Sequence, residues 1–297
     1  MPWNARSRPP LLCPRSVLRA RDGLRDATRV MHALGTMLMP PACAVCREPH
    51  RPGPDGIVCG LCLSRVAPLV DPRCRRCGHP RLSPYAPQPS GGAITGAPDA
   101  LPPCRWCDRL PPYVRAVRSF CRMDAGSGGA IVHALKYGGW HETAIPMARC
   151  MARVDFPDDV IRERAALVPL PLAHTRERER GYNQAERLAR ALATQWRLPV
   201  WHDVVRRTRD TRSQVRLTPS ERAGNVSQAF AATEVARTRL RGAHVVLVDD
   251  VITTGASLNA AARALAEGGA RIISYITFGR APDPGDRSVS DFDSDQD

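Results

Sequence analysis

Residues 244–257 read His-Val-Val-Leu-Val-Asp-Asp-Val-Ile-Thr-Thr-Gly-Ala-Ser. The apolar run at 244–248 predicts a buried strand, and the apolar spacing from Ser257 onward predicts a helix. Asp249 and Asp250 follow the strand directly, so we expect both carboxylates to emerge at the end of the sheet. There they would accept hydrogen bonds from two neighbouring hydroxyls of a sugar. The stretch therefore predicts a ligand site at the carboxyl end of a parallel strand.

The turn between this strand and this helix has the chemistry of a phosphate site. Backbone N–H groups at a helix N-terminus point toward the ligand, and the helix dipole favours a negative charge. Gly255 lets the backbone approach the anion closely. The chain contains neither a Walker A loop nor a Gly-x-Gly-x-x-Gly fingerprint. The residues expected around the phosphate are Thr253, Thr254, Gly255, Ala256 and Ser257.

Strand and helix patterns alternate through the rest of residues 110–280. Apolar runs predict strands at 114–123, 165–172, 244–248 and 271–278. Helical spacing predicts helices at 126–137, 142–153, 183–196 and 257–267. This alternation predicts an α/β domain with a mostly parallel sheet.

Eight of the 11 cysteines form four Cys-x-x-Cys pairs within residues 43–107. Each pair places two thiolates on one tight turn, and two such turns complete the tetrahedral coordination of zinc. We expect structural zinc, about two ions, bound sequentially, with pairing of the first turn and the third as the alternative. His79 could substitute as a ligand, and Cys13, Cys121 and Cys150 are expected to be ordinary thiols. The predicted ligands are Cys43, Cys46, Cys59, Cys62, Cys74, Cys77, Cys104 and Cys107.

Composition limits the class of protein, its expected location and its division into segments. The 297 residues are 43% hydrophobic and 24% charged, which excludes wholesale disorder. No apolar run is long enough to span a membrane, and no secretory signal is recognisable, so we expect a cytoplasmic location. We divide the chain into a basic extension (1–30) expected to be disordered, a short helix with a double zinc ribbon (31–109), the α/β domain (110–280) and an acidic disordered tail (281–297). We also expect metal removal to unfold 43–107 and leave the α/β domain folded.

The net charge of +14 favours a polyanionic partner, either a nucleic acid or a phosphorylated small molecule. The alternative explanation is a genomic bias toward arginine, because Lys136 is the only lysine among 43 basic residues. A lysine that is retained under such a bias indicates that its position requires a compact point charge.

The 244–257 stretch resembles the phosphoribosyl-pyrophosphate (PRPP) motif of type I phosphoribosyltransferases. The chain as a whole resembles the bacterial ComF competence-protein family over about residues 31–280. Three further segments carry this resemblance: 135–139 (Leu-Lys-Tyr-Gly-Gly), 168–172 (Val-Pro-Leu-Pro-Leu) and 176–185 (Arg-Glu-Arg-Glu-Arg-Gly-Tyr-Asn-Gln-Ala). The cysteine-rich segment matches the double zinc ribbon of the same family.

The resemblance implies Mg²⁺-dependent transfer of a phosphoribosyl group from PRPP to an acceptor, most often a nitrogen, with release of pyrophosphate. Asp249 and Asp250 would hold the ribose hydroxyls, and 253–257 the 5-phosphate. Lys136 would supply a point charge, and 208–225 would close over the substrate as a lid. The other residues implied in the site are Arg176, Arg180, Asn183 and Gln184.

A non-enzymatic role is the alternative. The family resemblance also implies a link to DNA uptake during transformation. The chain would then be an adaptor that binds PRPP or a nucleotide together with single-stranded DNA or proteins of the competence machinery. The basic composition favours this alternative, whereas the scarcity of aromatic residues for base stacking in the ribbons speaks against it.

Overall fold

A computed structural model describes residues 41–50, 53, 56–81, 104, 106–208 and 229–282. Several expectations lie outside these residues. They concern the extension at 1–30, the short helix before residue 41, the lid segment after Thr208 and the tail from 283 onward.

The described residues form seven strands and eight helices, with two further 3₁₀ turns at Cys107–Arg109 and His141–Thr143. The strands are β1 (Val66–Pro68), β2 (Val114–Gly126), β3 (Arg164–Pro169), β4 (Val205–Arg207), β5 (Phe230–Ala232), β6 (His244–Ile252) and β7 (Ile272–Arg280). The helices are α1 (Gly60–Ser64), α2 (Gly128–Tyr137), α3 (Ala144–Ala152), α4 (Asp158–Glu163), α5 (His174–Arg180), α6 (Gln184–Trp196), α7 (Glu234–Arg239) and α8 (Ala256–Glu267).

The central sheet has five strands in the order β1-β2-β7-β6-β3. β2, β7, β6 and β3 are parallel neighbours, and β1 is antiparallel to β2. The predicted mostly parallel α/β fold is therefore confirmed, and each strand and helix predicted within residues 110–280 is present with its ends moved by a few residues. The carboxyl ends of the four parallel strands lie along one edge, where the connecting turns can build a ligand site.

Both faces of the sheet are covered, which explains why β6 and β7 are buried along nearly their whole length rather than at alternate positions. α2, α3 and α6 pack on one face, around side chains such as Leu135, Met147 and Leu188. α7, α8 and the antiparallel β4–β5 pair pack on the other face, around Leu240 and Leu258. Val245 to Val248 of β6 are all buried between these two layers.

The cysteine-rich segment is part of this sheet. β1 lies between Cys62 and Cys74 in sequence, and its Val66 pairs with Gly126 of β2. Cys43, Cys62 and Val66 belong to the same buried cluster as Leu135. The expectation that this segment could unfold by itself rests on a wrong premise, because the segment supplies both a strand and core side chains to the α/β unit.

Metal removal is therefore expected to destabilise the sheet as well as the ribbon. Addition of a zinc chelator should lower the melting temperature of the whole chain by more than about 5 °C, since structural zinc contributes folding free energy directly. Far-UV circular dichroism and tryptophan fluorescence should report the same shifted transition. A chelator already saturated with zinc is the control, and an unchanged melting of the helical signal would contradict this account.

Candidate functional site

The predicted cysteine ligands meet in two groups of four, and within each group the Sγ atoms all lie within 4.8 Å of one another. The groups are Cys43, Cys46, Cys59 and Cys62, and Cys74, Cys77, Cys104 and Cys107. In each cluster, two pairs of sulfurs are in hydrogen-bond contact, and the sulfurs of these pairs lie 3.5–3.9 Å apart. Tetrahedral zinc with Zn–S bonds of about 2.3 Å needs sulfurs about 3.8 Å apart. The sequential pairing is confirmed, and the two clusters support structural zinc.

In each cluster the backbone favours the thiolate form of one cysteine, whereas burial raises the pKa of others, that of Cys107 to about 11. Burial opposes ionisation of Cys43, but its sulfur accepts N–H bonds from Cys59 at 3.3 Å and Val45 at 3.4 Å. Such bonds lower its pKa to about 6. Cys74 is likewise buried, and N–H groups of its own turn lower its pKa to about 7. His79, the alternative ligand, instead stacks on the ring of Trp106.

The paired aspartates lie within β6, because the strand continues to Ile252 instead of ending at 248. Asp250 is only 3% exposed. Its Oδ2 lies 2.7 Å from Nζ of Lys136 on α2. The expectation that both carboxylates emerge at the end of the sheet rather than inside the core is therefore wrong for Asp250, which is buried beside Lys136.

Asp249 is half-buried and differs from Asp250 in its environment. Its Oδ1 accepts the backbone N–H of Asp250 at 2.8 Å, and Oδ1 of Asp250 accepts that of Val251 at 2.8 Å. Burial and then the neighbouring Asp250 charge raise the pKa of Asp249 well above its usual range. A ligand group that donates a hydrogen bond to this carboxylate, such as a sugar hydroxyl, would reduce the free-energy cost of its ionisation.

The predicted phosphate turn follows β6 at the same edge of the sheet. Thr253 and Thr254 are exposed, and α8 begins at Ala256. Gly255 has φ of +76°, a conformation that other residues rarely adopt. The glycine is thus required by its backbone conformation, in addition to the close approach that the sequence suggested.

Three predicted basic residues from two different segments meet in one cleft of about 270 Å³. Lys136 enters from α2, and Arg176 and Arg180 from α5. Tyr137 and Glu179 also line this cleft. Because Lys136 also pairs with Asp250, it joins the cleft to the end of β6.

Asn183 and Gln184 have partners within the protein. Asn183 caps α6 by accepting the N–H of Ala185 at 3.0 Å, and its Nδ2 donates to the carbonyl of Leu170 at 3.0 Å. Gln184 is buried, and its Oε1 accepts a hydrogen bond from Arg180. These contacts hold the basic cleft in place beside the end of β3.

Sequence reasoning missed two contacts that shape the site. Tyr182 donates its hydroxyl hydrogen to the carbonyl of Leu135, which fixes α2 against the start of α6. The guanidinium carbon of Arg180 lies over the ring of Tyr137, 5.3 Å from the ring centre, and Tyr137 is 69% exposed. Both tyrosines belong to the recognised motifs, but neither motif shows which carbonyl or guanidinium its tyrosine contacts.

Comparison with known proteins agrees with this geometry. Residues 34–107 match the double zinc ribbon domain, and residues 179–296 match the phosphoribosyl transferase domain. The chain is thus a protein with a phosphoribosyltransferase-type fold and an N-terminal double zinc ribbon.

Three relatives refine this class. The chain is 36% identical over 116 residues to Competence protein F of Haemophilus influenzae, covering 39% of this chain and 50% of that protein. It is 38% identical over 116 residues to Competence protein ComFC of Bacillus subtilis, covering 39% and 44%. It is 28% identical over 246 residues to DNA utilization protein YhgH of Escherichia coli K12, covering 80% and 96%. The match thus spans half of Competence protein F but nearly all of YhgH, and the resemblance to the ComF family is confirmed.

Within the described part of the chain, no helix combines the length and the apolar character that a membrane crossing requires.

Replacement of Lys136 by Met should leave the buried Asp250 carboxylate without its cation. Because Lys136 is partly exposed, we expect a loss of about 1–3 kcal/mol in the free energy of unfolding, measured by urea denaturation. Asp250→Asn in the Lys136→Met background should restore part of the loss, since no buried charge then remains. Equal stability of parent and Lys136→Met would contradict the proposed importance of this pair.

The raised pKa of Asp249 predicts a pH-dependent effect of Asp249→Asn. The folded chain binds this proton more tightly than the unfolded chain, so ionisation costs stability as pH rises above about 4. The melting temperature of Asp249→Asn relative to the parent should therefore rise between about pH 4 and pH 8. Asp124→Asn is the control of opposite sign, because a hydrogen bond from Arg122 lowers the pKa of Asp124. A difference for Asp249→Asn that stays constant with pH would contradict the assignment.

Proposed function

We propose that this protein binds PRPP with Mg²⁺ and transfers its phosphoribosyl group to a nitrogen nucleophile, releasing pyrophosphate. The observation that carries this proposal is the position of Lys136, which pairs with Asp250 at the end of β6 and also lines the cleft with Arg176 and Arg180. A sugar-binding carboxylate pair and a basic surface for a leaving pyrophosphate would thereby be adjacent.

The three parts of PRPP would take three adjacent positions. The turn at 253–257 would hold the 5-phosphate through N–H and hydroxyl donors at the start of α8. Asp249 and Asp250 would orient the ribose hydroxyls. The cleft lined by Lys136, Arg176 and Arg180 would receive the pyrophosphate, since guanidinium groups match phosphate oxygens.

In this reaction the nitrogen forms a bond to C1 of ribose as the bond from C1 to the pyrophosphate oxygen breaks. Negative charge then grows on the pyrophosphate, and cations fixed beforehand in the cleft stabilise it. Mg²⁺ bound with PRPP would add further charge compensation at the leaving group. The proton of the nitrogen leaves to solvent or to the pyrophosphate.

The proposed setting is the handling of DNA in the cytoplasm. Relatives named as competence and DNA utilization proteins support the first part of this setting. The thiolate clusters support the second, because a reducing compartment keeps such cysteines available for zinc.

A non-enzymatic adaptor that binds PRPP or a nucleotide is the second candidate function, with single-stranded DNA or competence-machinery proteins as partners. The exposed ring of Tyr137 favours it, because it lies beside Arg180 and the ring of His133 at the rim of the basic cleft. Aromatic rings of this kind stack on bases in proteins that bind single strands.

Arg176→Ala tests the transferase proposal cleanly. The exposed guanidinium of Arg176 has no hydrogen bond or ion pair with any other side chain or carbonyl of the described ranges, so its loss should leave the fold intact. Loss of a charge-assisted bond to phosphate should weaken PRPP binding about tenfold or more, measured by calorimetry with Mg²⁺. Arg190→Ala is the matched control, because Arg190 pairs with Glu186 on the exposed side of α6.

Pyrophosphate release from PRPP with a panel of nitrogen acceptors separates the two candidates, because an adaptor that binds PRPP would release none. Three further outcomes of the binding experiment concern the site. Tenfold weaker binding by Arg176→Ala, with Arg190→Ala unchanged, would support the proposed site. Equal PRPP affinity in all three proteins would contradict it. Absence of PRPP binding by the parent, together with salt-dependent binding of single-stranded DNA, would favour the adaptor.

A further inference from the structure

The second cysteine cluster (Cys74, Cys77, Cys104 and Cys107) contacts the helix that follows the proposed phosphate turn. The 3₁₀ turn Cys107–Arg109 presents the carbonyl of Arg109 to Nδ2 of Asn259, at 2.8 Å. Asn259 lies in the first turn of α8, where its N–H donates to the carbonyl of Gly255 at 2.8 Å. One side chain thus connects a zinc-ligand turn to the helix start expected to face a phosphate.

The carboxamide of Asn259 is held at both ends. Its Oδ1 accepts a hydrogen bond from the hydroxyl of Tyr275 at 3.0 Å, and Tyr275 is a fully buried residue of β7. A carboxamide offers both the donor that Arg109 needs and the acceptor that Tyr275 needs, whereas a carboxylate would lack the donor. Asn259 therefore fixes the first turn of α8 between the sheet and the cysteine cluster.

The same cluster contacts the other side of the turn through Arg280. This buried arginine at the end of β7 donates from Nη2 to the carbonyl of Cys77 at 2.6 Å. The next N–H along the chain, that of Ala281, donates to the carbonyl of Ile252 at 2.9 Å. Ile252 directly precedes Thr253, so both cysteine turns of the cluster have a connection to the segment 252–259.

We propose that the second zinc ribbon positions the phosphate-binding turn, and that Asn259 is the positioning residue that couples the two. The ligand named for the turn, PRPP, rests on the proposed function. Without metal, the Cys107–Arg109 turn keeps only hydrogen bonds such as that from the N–H of Leu110 to the carbonyl of Cys107 at 3.0 Å. The four thiols no longer tie this turn to the Cys74–Cys77 turn, so the acceptor of Asn259 is held less firmly. Because coupling between two binding sites is reciprocal, PRPP should also tighten the binding of zinc.

Equilibrium competition between the protein and a zinc-selective chromophoric chelator measures this coupling. In the parent, PRPP with Mg²⁺ should raise the affinity for one of the two zinc ions about fivefold, the value of one hydrogen bond near 1 kcal/mol. In Asn259→Leu this increase should be absent, and the PRPP affinity should be about fivefold weaker. A residue with a purely structural role would not link these two affinities.

Thr194→Val is the control for loss of a polar side chain, because among the described residues the exposed Thr194 hydroxyl bonds only the carbonyl of Arg190 within its own helix. In this variant, PRPP should raise the zinc affinity as much as it does in the parent. Tyr275→Phe is a second, milder variant that removes only the bond to Oδ1 of Asn259 and should reduce the effect. If PRPP raises the zinc affinity of Asn259→Leu as much as that of the parent, the coupling through Asn259 is overturned.

Hydrogen exchange tests the same coupling without PRPP, so failure of the proposed function remains distinguishable. In zinc-loaded Asn259→Leu, the amides of 255–259 should exchange about fivefold faster than in the parent, with those of 245–248 unchanged. Unchanged protection at 255–259 would overturn the inference. Faster exchange in a protein whose parent fails to bind PRPP would overturn the proposed function alone.

Discussion

The ion pair between Lys136 and Asp250 is the contact on which the arrangement of the site depends. A carboxylate that is 3% exposed is costly unless a cation or several donors compensate its charge. Lys136 supplies that cation from α2, so the position of α2 and the end of β6 are fixed together. The basic cleft shares Lys136, and its geometry therefore follows from the same pair.

The cysteine-rich segment in turn fixes the start of α2. Gly126, with φ of +67°, ends β2 so close to the ribbon that a Cβ atom there would lie 2.1 Å from the carbonyl oxygen of Arg65. Ser127 donates its hydroxyl hydrogen to the carbonyl of Cys62 at 2.5 Å. The first cluster thus supports the helix that carries Lys136, while the second is connected to both flanks of the proposed phosphate turn. The double ribbon is accordingly a structural part of the site.

Regular features of this fold were predictable because they depend on neighbouring residues. Strands and helices followed from apolar spacing, the start of α6 from Asn183, and the zinc clusters from Cys-x-x-Cys spacing. The continuation of β6 was also readable, since Val251 and Ile252 prolong the apolar run beyond the two aspartates. Hydrophobic periodicity and motif spacing are set by residues close together in the sequence, and these elements could be predicted from them alone.

Other features depend on residues far apart in the chain. β1 has three residues, too few for a strand signal, and exists because β2 offers an edge beside the ribbon. Lys136 and Asp250 meet only because α2, which packs on β2, places Lys136 beside the end of β6. The amide of Asn259 likewise finds its partners in segments that sequence separates widely. Such contacts require the packed structure, and they are the ones that build the site.

The central claim, that the junction of β6, α2 and α5 binds PRPP, is tested most directly by ³¹P NMR of PRPP with Mg²⁺ and the zinc-loaded protein. The account predicts that the 5-phosphate and both pyrophosphate resonances shift or broaden as protein is added. It further predicts that a free pyrophosphate resonance grows when a suitable nitrogen acceptor is supplied from a panel. Resonances of PRPP that remain unchanged at excess protein would contradict the account.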